Sequence, residues 1–380
     1  MFATTPDQEL LERTTERYLD ARFPAARLRE LADAERTFDP AAWREGAELG
    51  WTSLLVPEAV GGGSVSGNGL ADLLVVCSLF GRHAAPGPLF GTNLVAAALG
   101  RWGSADQREG PLAELLSGAA VAARAHGTAR GADGVARSIV TASPSTRGVV
   151  LAGGAGAVEG AEAASHLLVT AEGPEGRTLH LVPLDAGGIE LRPLRGVDLT
   201  RRYHEVLLRD VAVPAASVVG EAGAADSHDE ELLDLVATMA AAEMVGAADR
   251  ALAATLEWTV DRYSFGRPLG SYQAIKHRIA DARTQLEACE AVTARACEAV
   301  GGGAPDGPDW ASAAMAHTAS RSPEIVQECV QFHGGIGVTY ELDLHLHLRR
   351  VVVDSKLHGS AADHWRRLGR RVVDGREAAA

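Results

Sequence analysis

The stretch Arg262-Tyr-Ser-Phe265-Gly266-Arg-Pro-Leu-Gly270-Ser-Tyr-Gln273-Ala-Ile-Lys-His277 decides the reading of this chain. A long helical pattern ends at it, Gly266, Pro268 and Gly270 break the period, and an amphipathic pattern restarts near Gln273. An arginine and an aromatic three residues apart share one face of a helix. The guanidinium suits a pyrophosphate and the ring suits an adenine, so the spacing reads as a binding site. A second block, Gln331-Phe332-His333-Gly334-Gly335-Ile-Gly337, offers glycines through which main-chain N–H groups can approach a diphosphate with no Cβ in the way.

Working outward, residues from Asp7 to about Gly118 are mainly helical in pattern, with Leu10, Leu11, Thr14 and Tyr18 at helical spacing. Asp39 followed by Pro40 predicts a capped helix start running through Leu49. Between about Ala119 and Val213 the period shortens. Val149–Leu151, His166–Thr170, Thr178–Val182 and Glu205–Leu208 are short apolar runs between glycine-bearing turns, and they predict strands. Helical patterns return from Glu230 to about Arg371. The expected domains are therefore helical over 1–118, β over 119–222 and a helical bundle over 223–380.

Composition narrows the function classes. The 380 residues are 46% hydrophobic, enough for large cores. A net charge of -14 without a long basic block argues against nucleic acid and anionic membrane surfaces as partners. Cys77, Cys289, Cys297 and Cys329 show no C-x-x-C spacing, the apolar runs are too short to span a bilayer, and a reducing cytoplasm fits best. No metal site is expected: His345 and His347 are two apart and would point about 200° apart on a helix.

Both glycine-bearing blocks resemble the adenine-dinucleotide motifs of the acyl-CoA dehydrogenase family. Trp43 to Gly63 resembles that family's N-terminal helix, glycine-tryptophan pair and proline-glutamate loop, and Asp198–Arg202 and Val211–Gly220 resemble its later β-domain pattern. The resemblance covers nearly the whole chain. It implies an α+β fold: an N-terminal all-α domain, a central β barrel or sandwich, and a C-terminal four-helix bundle that makes the oligomer. It also implies FAD as cofactor. Arg262, Phe265, Gln273, Gln331, Gly334, Gly335 and Ser360 are the implied cofactor contacts, with Arg262 and Phe265 facing the adenine-diphosphate end of a neighbouring subunit's FAD. Family members remove the proton alpha to an acyl thioester and pass the beta hydrogen as hydride to the flavin. The implied partners are a coenzyme A or carrier-protein thioester, an acceptor such as an electron-transfer flavoprotein, and further subunits in a homodimer, homotetramer or heteromer.

The chain departs from the family pattern at the base. Counting from Gly334 through Arg349 to the place of the usual glutamate lands on His358-Gly359-Ser360, and the family's other base position lands on Val236. His358 is a candidate because neutral imidazole can accept a proton near pH 7. Glu243, which interrupts the apolar run Met239–Val245, is the other candidate. The family's Thr-Glu-Pro-x-Ala-Gly-Ser-Asp loop and Trp-Ile-Thr-Asn-Gly strand have no counterpart in Arg124 to Glu159. The segment Leu342–Arg350 is similar to actinobacterial-type members, several of which lack the glutamate. Two functions follow: an FAD-dependent dehydrogenase forming a C=C bond with a non-standard base, or the partner subunit of a heteromeric dehydrogenase whose base resides on another chain.

Overall fold

The structure is a computed structural model that describes residues 2, 4–34, 37–125, 129–130, 136–137 and 139–378. Within the atypical stretch 124–159, residues 126–128, 131–135 and 138 lie outside the described residues.

The chain opens with helices α1 (Pro6–Arg22), α2 (Ala25–Asp33), α3 (Pro40–Glu48), α4 (Gly69–His83) and α5 (Leu89–Trp102). Short helices α6 (Ala105–Gln107) and α7 (Ala113–Leu116) follow, joined by a π-helical turn. Thr5 and Gln8 close a capping box on α1, and Asp39 accepts hydrogen bonds from the backbone N–H groups of Ala41 and Ala42 at the start of α3, as its Asp-Pro sequence predicts. The buried face of α1 is Gln8, Leu11, Thr15 and Leu19; of the residues read at helical spacing, Leu11 lies on it while Leu10 is 57% exposed. Leu10 is rotated about 100° from Leu11 and falls off the face that meets α4.

The central part is an eight-stranded, largely antiparallel sheet. Its strands are β1 (Ala122–Ala125), β4 (Ile139–Ser145), β5 (Gly148–Glu159), β6 (His166–Gly173), β7 (Gly176–Pro183), β8 (Ile189–Leu194), β9 (Tyr203–Pro214) and β10 (Val218–Val219). The order is β10-β7-β6-β4-β5-β9-β8, with β1 added parallel to β6. The short pair β2 (Ala129–Arg130) and β3 (Ala136–Arg137) stands apart from it. Leu151, Val169, Val206 and Leu208 form the sheet's own core. All four strands read from the sequence are present, because alternation and glycine turns are local signals.

The third part is α8 (Ala225–Asp261), the hairpin β11 (Tyr263–Ser264) and β12 (Arg267–Pro268), then α9 (Gln273–Gly301), α10 (Gly307–His333), α11 (Leu344–Leu357) and α12 (Ala361–Ala378). The middle of α8 is buried all round, since α4, α9, α10 and α11 pack against it. Asp229 on α8 accepts from Arg124 of β1 at 2.8 Å and Arg177 of β7 at 2.8 Å, which ties the sheet to the helices. All four cysteines are buried and unbonded to one another, with Cys289 and Cys297 both among the buried residues of α9.

At the crossing of α4 and α8 the two backbones touch. A methyl group on Gly246 would stand 1.9 Å from the carbonyl oxygen of Ser78, and one on Gly81 would stand 1.9 Å from that of Glu243. Backbone cannot rotate aside as a side chain can, so Gly246→Ala must separate the helices. It is expected to lower unfolding free energy by about 1–3 kcal/mol or more, read as a fall in urea midpoint. Gly187→Ala, with open space around it, is the control and should change stability by less than about 0.5 kcal/mol.

Candidate functional site

The expected motifs meet at one corner. The helix α8 ends at Asp261, so Arg262 and Phe265 are not on a helical face as the spacing suggested. Arg262 is the C-cap of α8, with ψ of 118°, and Phe265 sits in the turn of the β11–β12 hairpin. Phe265 and Gly266 both have positive φ, 50° and 81°, which is the two-residue turn whose twist suits a hairpin. A non-glycine residue there is strained. The turn is held by Tyr272, whose hydroxyl donates to the Ser264 carbonyl at 2.7 Å and whose ring lies 3.9 Å under the Arg267 guanidinium. The result is a phenyl ring 97% exposed at a fixed place.

Gln331 is exposed near the end of α10, and Gln273 is exposed at the first position of α9. Gly334 (φ 64°, ψ -136°) turns the chain out of α10, and nothing lies within 4 Å of a Cβ built on Gly334 or Gly335. Trp258, which the sequence reading passed over, joins the two motifs: its ring stacks on His333 at 5.0 Å and lies 5.7 Å from the Arg262 guanidinium carbon. Its only sequence signal is its place one turn before Arg262. Arg262 makes no ion pair with a carboxylate among the described residues. A guanidinium with no carboxylate partner among the described residues, an exposed ring and an open glycine turn fit the diphosphate and adenine of FAD.

A second locus contains the candidate bases. His358 is the C-cap of α11 and half-buried, its ring 5.6 Å from that of Phe90, and its carbonyl accepts from His364 Nε2 at 3.0 Å. Ser360, expected at the cofactor, caps α12: its hydroxyl donates to Asp363 Oδ2 at 2.6 Å and accepts from the Asp363 backbone N–H at 3.3 Å. The guanidinium of Arg201 also lies against Phe90, 5.2 Å from its ring centre. Arg201 donates to Glu243 Oε1 at 2.6 Å and to Asp354 at 3.4 Å, and pairs with Glu159 at 3.1 Å.

Glu243 is fully buried, and its Oε1 also accepts from Arg350 at 2.7 Å. Arg350 in turn donates to Asp198 at 2.5 Å, to Thr200 Oγ at 2.6 Å and to the carbonyls of Ala84 and Ala85 at 3.3 and 3.1 Å. Two guanidinium groups thus face four carboxylates away from water. Burial pushes the Asp354 carboxyl far above the ordinary range, reinforced by Glu243, and burial raises Glu159 as well. Asp198, although buried, is held low by the Arg350 and Arg201 guanidiniums. Glu243 Oε2 and Asp354 Oδ2 have no hydrogen-bond partner among the described residues. The pocket that reaches this cluster, lined by Phe38, Pro88, Glu159 and Arg201 among others, holds about 20 Å³, room for a water molecule.

Val236, the other expected base position, is buried in α8. His345 meets Tyr340 edge-on and His347 is buried, its imidazole pushed down to about 3, chiefly by burial. No group of three or more metal-ligating side chains comes together among the described residues, and no described helix is long and apolar enough to cross a membrane.

Comparison with known proteins agrees along the chain. Residues 5–119 match the model for the acyl-CoA dehydrogenase N-terminal domain, and residues 227–373 match that for the acyl-CoA dehydrogenase C-terminal domain. The chain is 31% identical over 372 residues to acyl-CoA dehydrogenase IpdE2 of Mycobacterium tuberculosis, covering 97% of this chain and 98% of that one. It superposes with a TM-score of 0.87 and 30% identity on the solved structure of a variant of the Tcur3481-Tcur3483 steroid ACAD, covering 98% and 99% of the two chains. The ChsE4-ChsE5 complex from Mycobacterium tuberculosis gives a TM-score of 0.87 at 26% identity, with the same coverage.

Proposed function

Since the chain belongs to the acyl-CoA dehydrogenase family, FAD flavoproteins that oxidise CH–CH groups, we propose that it is the subunit of a heteromeric acyl-thioester dehydrogenase that supplies no base. Its part is to hold the adenine-diphosphate end of an FAD shared with the partner subunit. The observation that carries this reading is Glu243. It is the one carboxylate among the candidate base positions, and it is fully buried with Oε1 shared by two guanidiniums.

FAD, when bound, supplies the hydride acceptor. The chain's own residues would bind and orient it. Arg262 offers charge-assisted hydrogen bonds to the diphosphate, the N–H groups of Gly334 and Gly335 approach the same group, Phe265 covers the adenine, and Gln273 and Gln331 offer amide contacts. Ser360 keeps its capping role. The thioester, carried on coenzyme A or a carrier protein, and the acceptor, such as an electron-transfer flavoprotein, would meet the partner chain's site. Two solved relatives bear the names of pairs of chains, and one of them is described as a steroid ACAD. A bulky polycyclic acyl thioester is therefore the substrate class to try first.

The test is to purify the chain alone and together with a family chain that carries the glutamate, then measure flavin per chain and anaerobic flavin bleaching by steroid acyl-CoA. The expected result is bleaching by the pair and none by this chain alone. A homo-oligomer holding one FAD per chain and bleached as fast as the pair would sink the reading.

A specific observation favours one other reading, in which His358 is the base: its ring is half-buried at the end of α11 beside Phe90. In that case the chain alone bleaches, and the rate falls at pH below the imidazole pKa because only neutral histidine accepts a proton.

Arg262→Ala, in the flavin-loaded assembly, is expected to weaken FAD binding by about 1.5–3 kcal/mol, the worth of a charged hydrogen bond. Equilibrium titration with FAD checks this, and unchanged affinity would remove Arg262 from the site.

A further inference from the structure

We propose that Trp258 is the positioning residue of the dinucleotide corner: its indole holds the Arg262 guanidinium and the His333–Gly334 turn in one arrangement before the cofactor arrives. This rests on the reading that the corner receives FAD, and goes beyond it by naming the side chain through which two motifs far apart in sequence act together.

Three contacts support it. Trp258 lies in the last turn of α8, and its carbonyl accepts from the Arg262 backbone N–H at 2.9 Å, so the start of the Arg262 side chain is fixed relative to the indole. The guanidinium carbon then lies 5.7 Å from the ring centre, within reach of a cation–π contact. The same indole stacks on His333 at 5.0 Å with the planes 23° apart. That imidazole cannot swing freely, because its Nδ1 donates to the Cys329 carbonyl at 2.9 Å. His333 is immediately followed by Gly334, whose backbone turns out of α10 with open space beside it.

The physical consequence is pre-organisation. A free arginine side chain loses rotamer freedom when it closes on a phosphate, and a contact that orders it beforehand reduces that loss. With no carboxylate to order Arg262 among the described residues, the ring face is what remains. The stack on His333 orders the indole in turn, because displacing the indole would release that stack and with it the entry into the glycine turn. Trp258 does not need to touch the cofactor to act in this way.

The experiment uses the assembled oligomer, stripped of flavin and titrated with FAD, with urea midpoints as the check on folding. Trp258→Leu keeps much of the bulk and removes the π face. It is expected to raise the FAD dissociation constant roughly fivefold to tenfold, while Trp258→Phe changes it less than about threefold because a ring remains. In the Arg262→Ala background Trp258→Leu should add much less than it does alone, since the two act as a unit. Equal affinity of Trp258→Leu and the parent, or full additivity with Arg262→Ala, overturns the proposal. If Arg262→Ala weakens FAD and Trp258→Leu does not, only the role of Trp258 fails. If neither does, the corner is not the cofactor's and the functional reading fails too.

Should the leucine variant not fold, fluorescence decides. FAD should quench the parent's tryptophan emission more than that of Trp258→Phe, and equal quenching of the two overturns the proposal.

Discussion

Arg350→Met is expected to destabilise the protein by about 3–5 kcal/mol, the loss that follows when one partner of a buried ion pair is removed. Arg350 is fully buried and donates to Asp198, Glu243, Thr200 and two backbone carbonyls. A thioether of similar length fills the space but leaves two carboxylates facing an apolar group. Arg350→Lys should recover only part of the loss, because one ammonium cannot reach acceptors spread around a planar guanidinium. Urea unfolding at pH 7 measures both.

The same cluster sets a pH dependence with a definite sign. The folded-state pKa of Asp354 lies above its ordinary value, chiefly through burial. The stability linked to that proton is fully present below the ordinary carboxylate pKa near 4 and is lost as pH rises through the raised value. Asp354→Asn keeps the shape and removes the titration, so its stability should fall less over that rise than the parent's. A parent and variant with parallel pH profiles would show that Asp354 is ionised throughout.

Removing the partner chain's glutamate from the heteromer is expected to slow anaerobic flavin bleaching by about 10²- to 10⁴-fold, the usual contribution of a general base. His358→Ala in the present chain should change the same rate by less than about threefold, and both variants should keep their flavin. The opposite pattern, a large loss with His358→Ala and a small one on the partner, would make the imidazole the base. Measuring both in one assembly separates loss of chemistry from loss of assembly.

How much of the site was legible in the sequence depended on how far each residue's partners lie along the chain. The hairpin turn was announced by Gly266 and Pro268, yet the helical face assumed for Arg262 and Phe265 was not: α8 stops one residue early, and positive φ at Phe265 belongs to a two-residue turn. The family resemblance implies Ser360 as a cofactor contact, and its capping bonds to Asp363, three residues on, came only with the structure. Glu243 drew notice as a charge in an apolar run. Its role was hidden, since its partners are 42 and 107 residues away in the chain.

By itself the sequence determined the order of helices, sheet and helices, the capped start of α3, the strands β5, β6, β7 and β9, the family, and the lack of a glutamate where the family usually carries it. These follow from periodicity, capping and turn chemistry, which act between residues a few positions apart, and from the identity of single residues. Only the tertiary structure decided that Trp258 joins the two dinucleotide motifs, that Phe90 contacts both Arg201 and His358, and that Glu243 accepts from two arginines. Burying an ion is tolerable only when an opposite charge from elsewhere in the chain reaches it, and where such charges meet is set by the packing of α4, α8, α11 and the sheet.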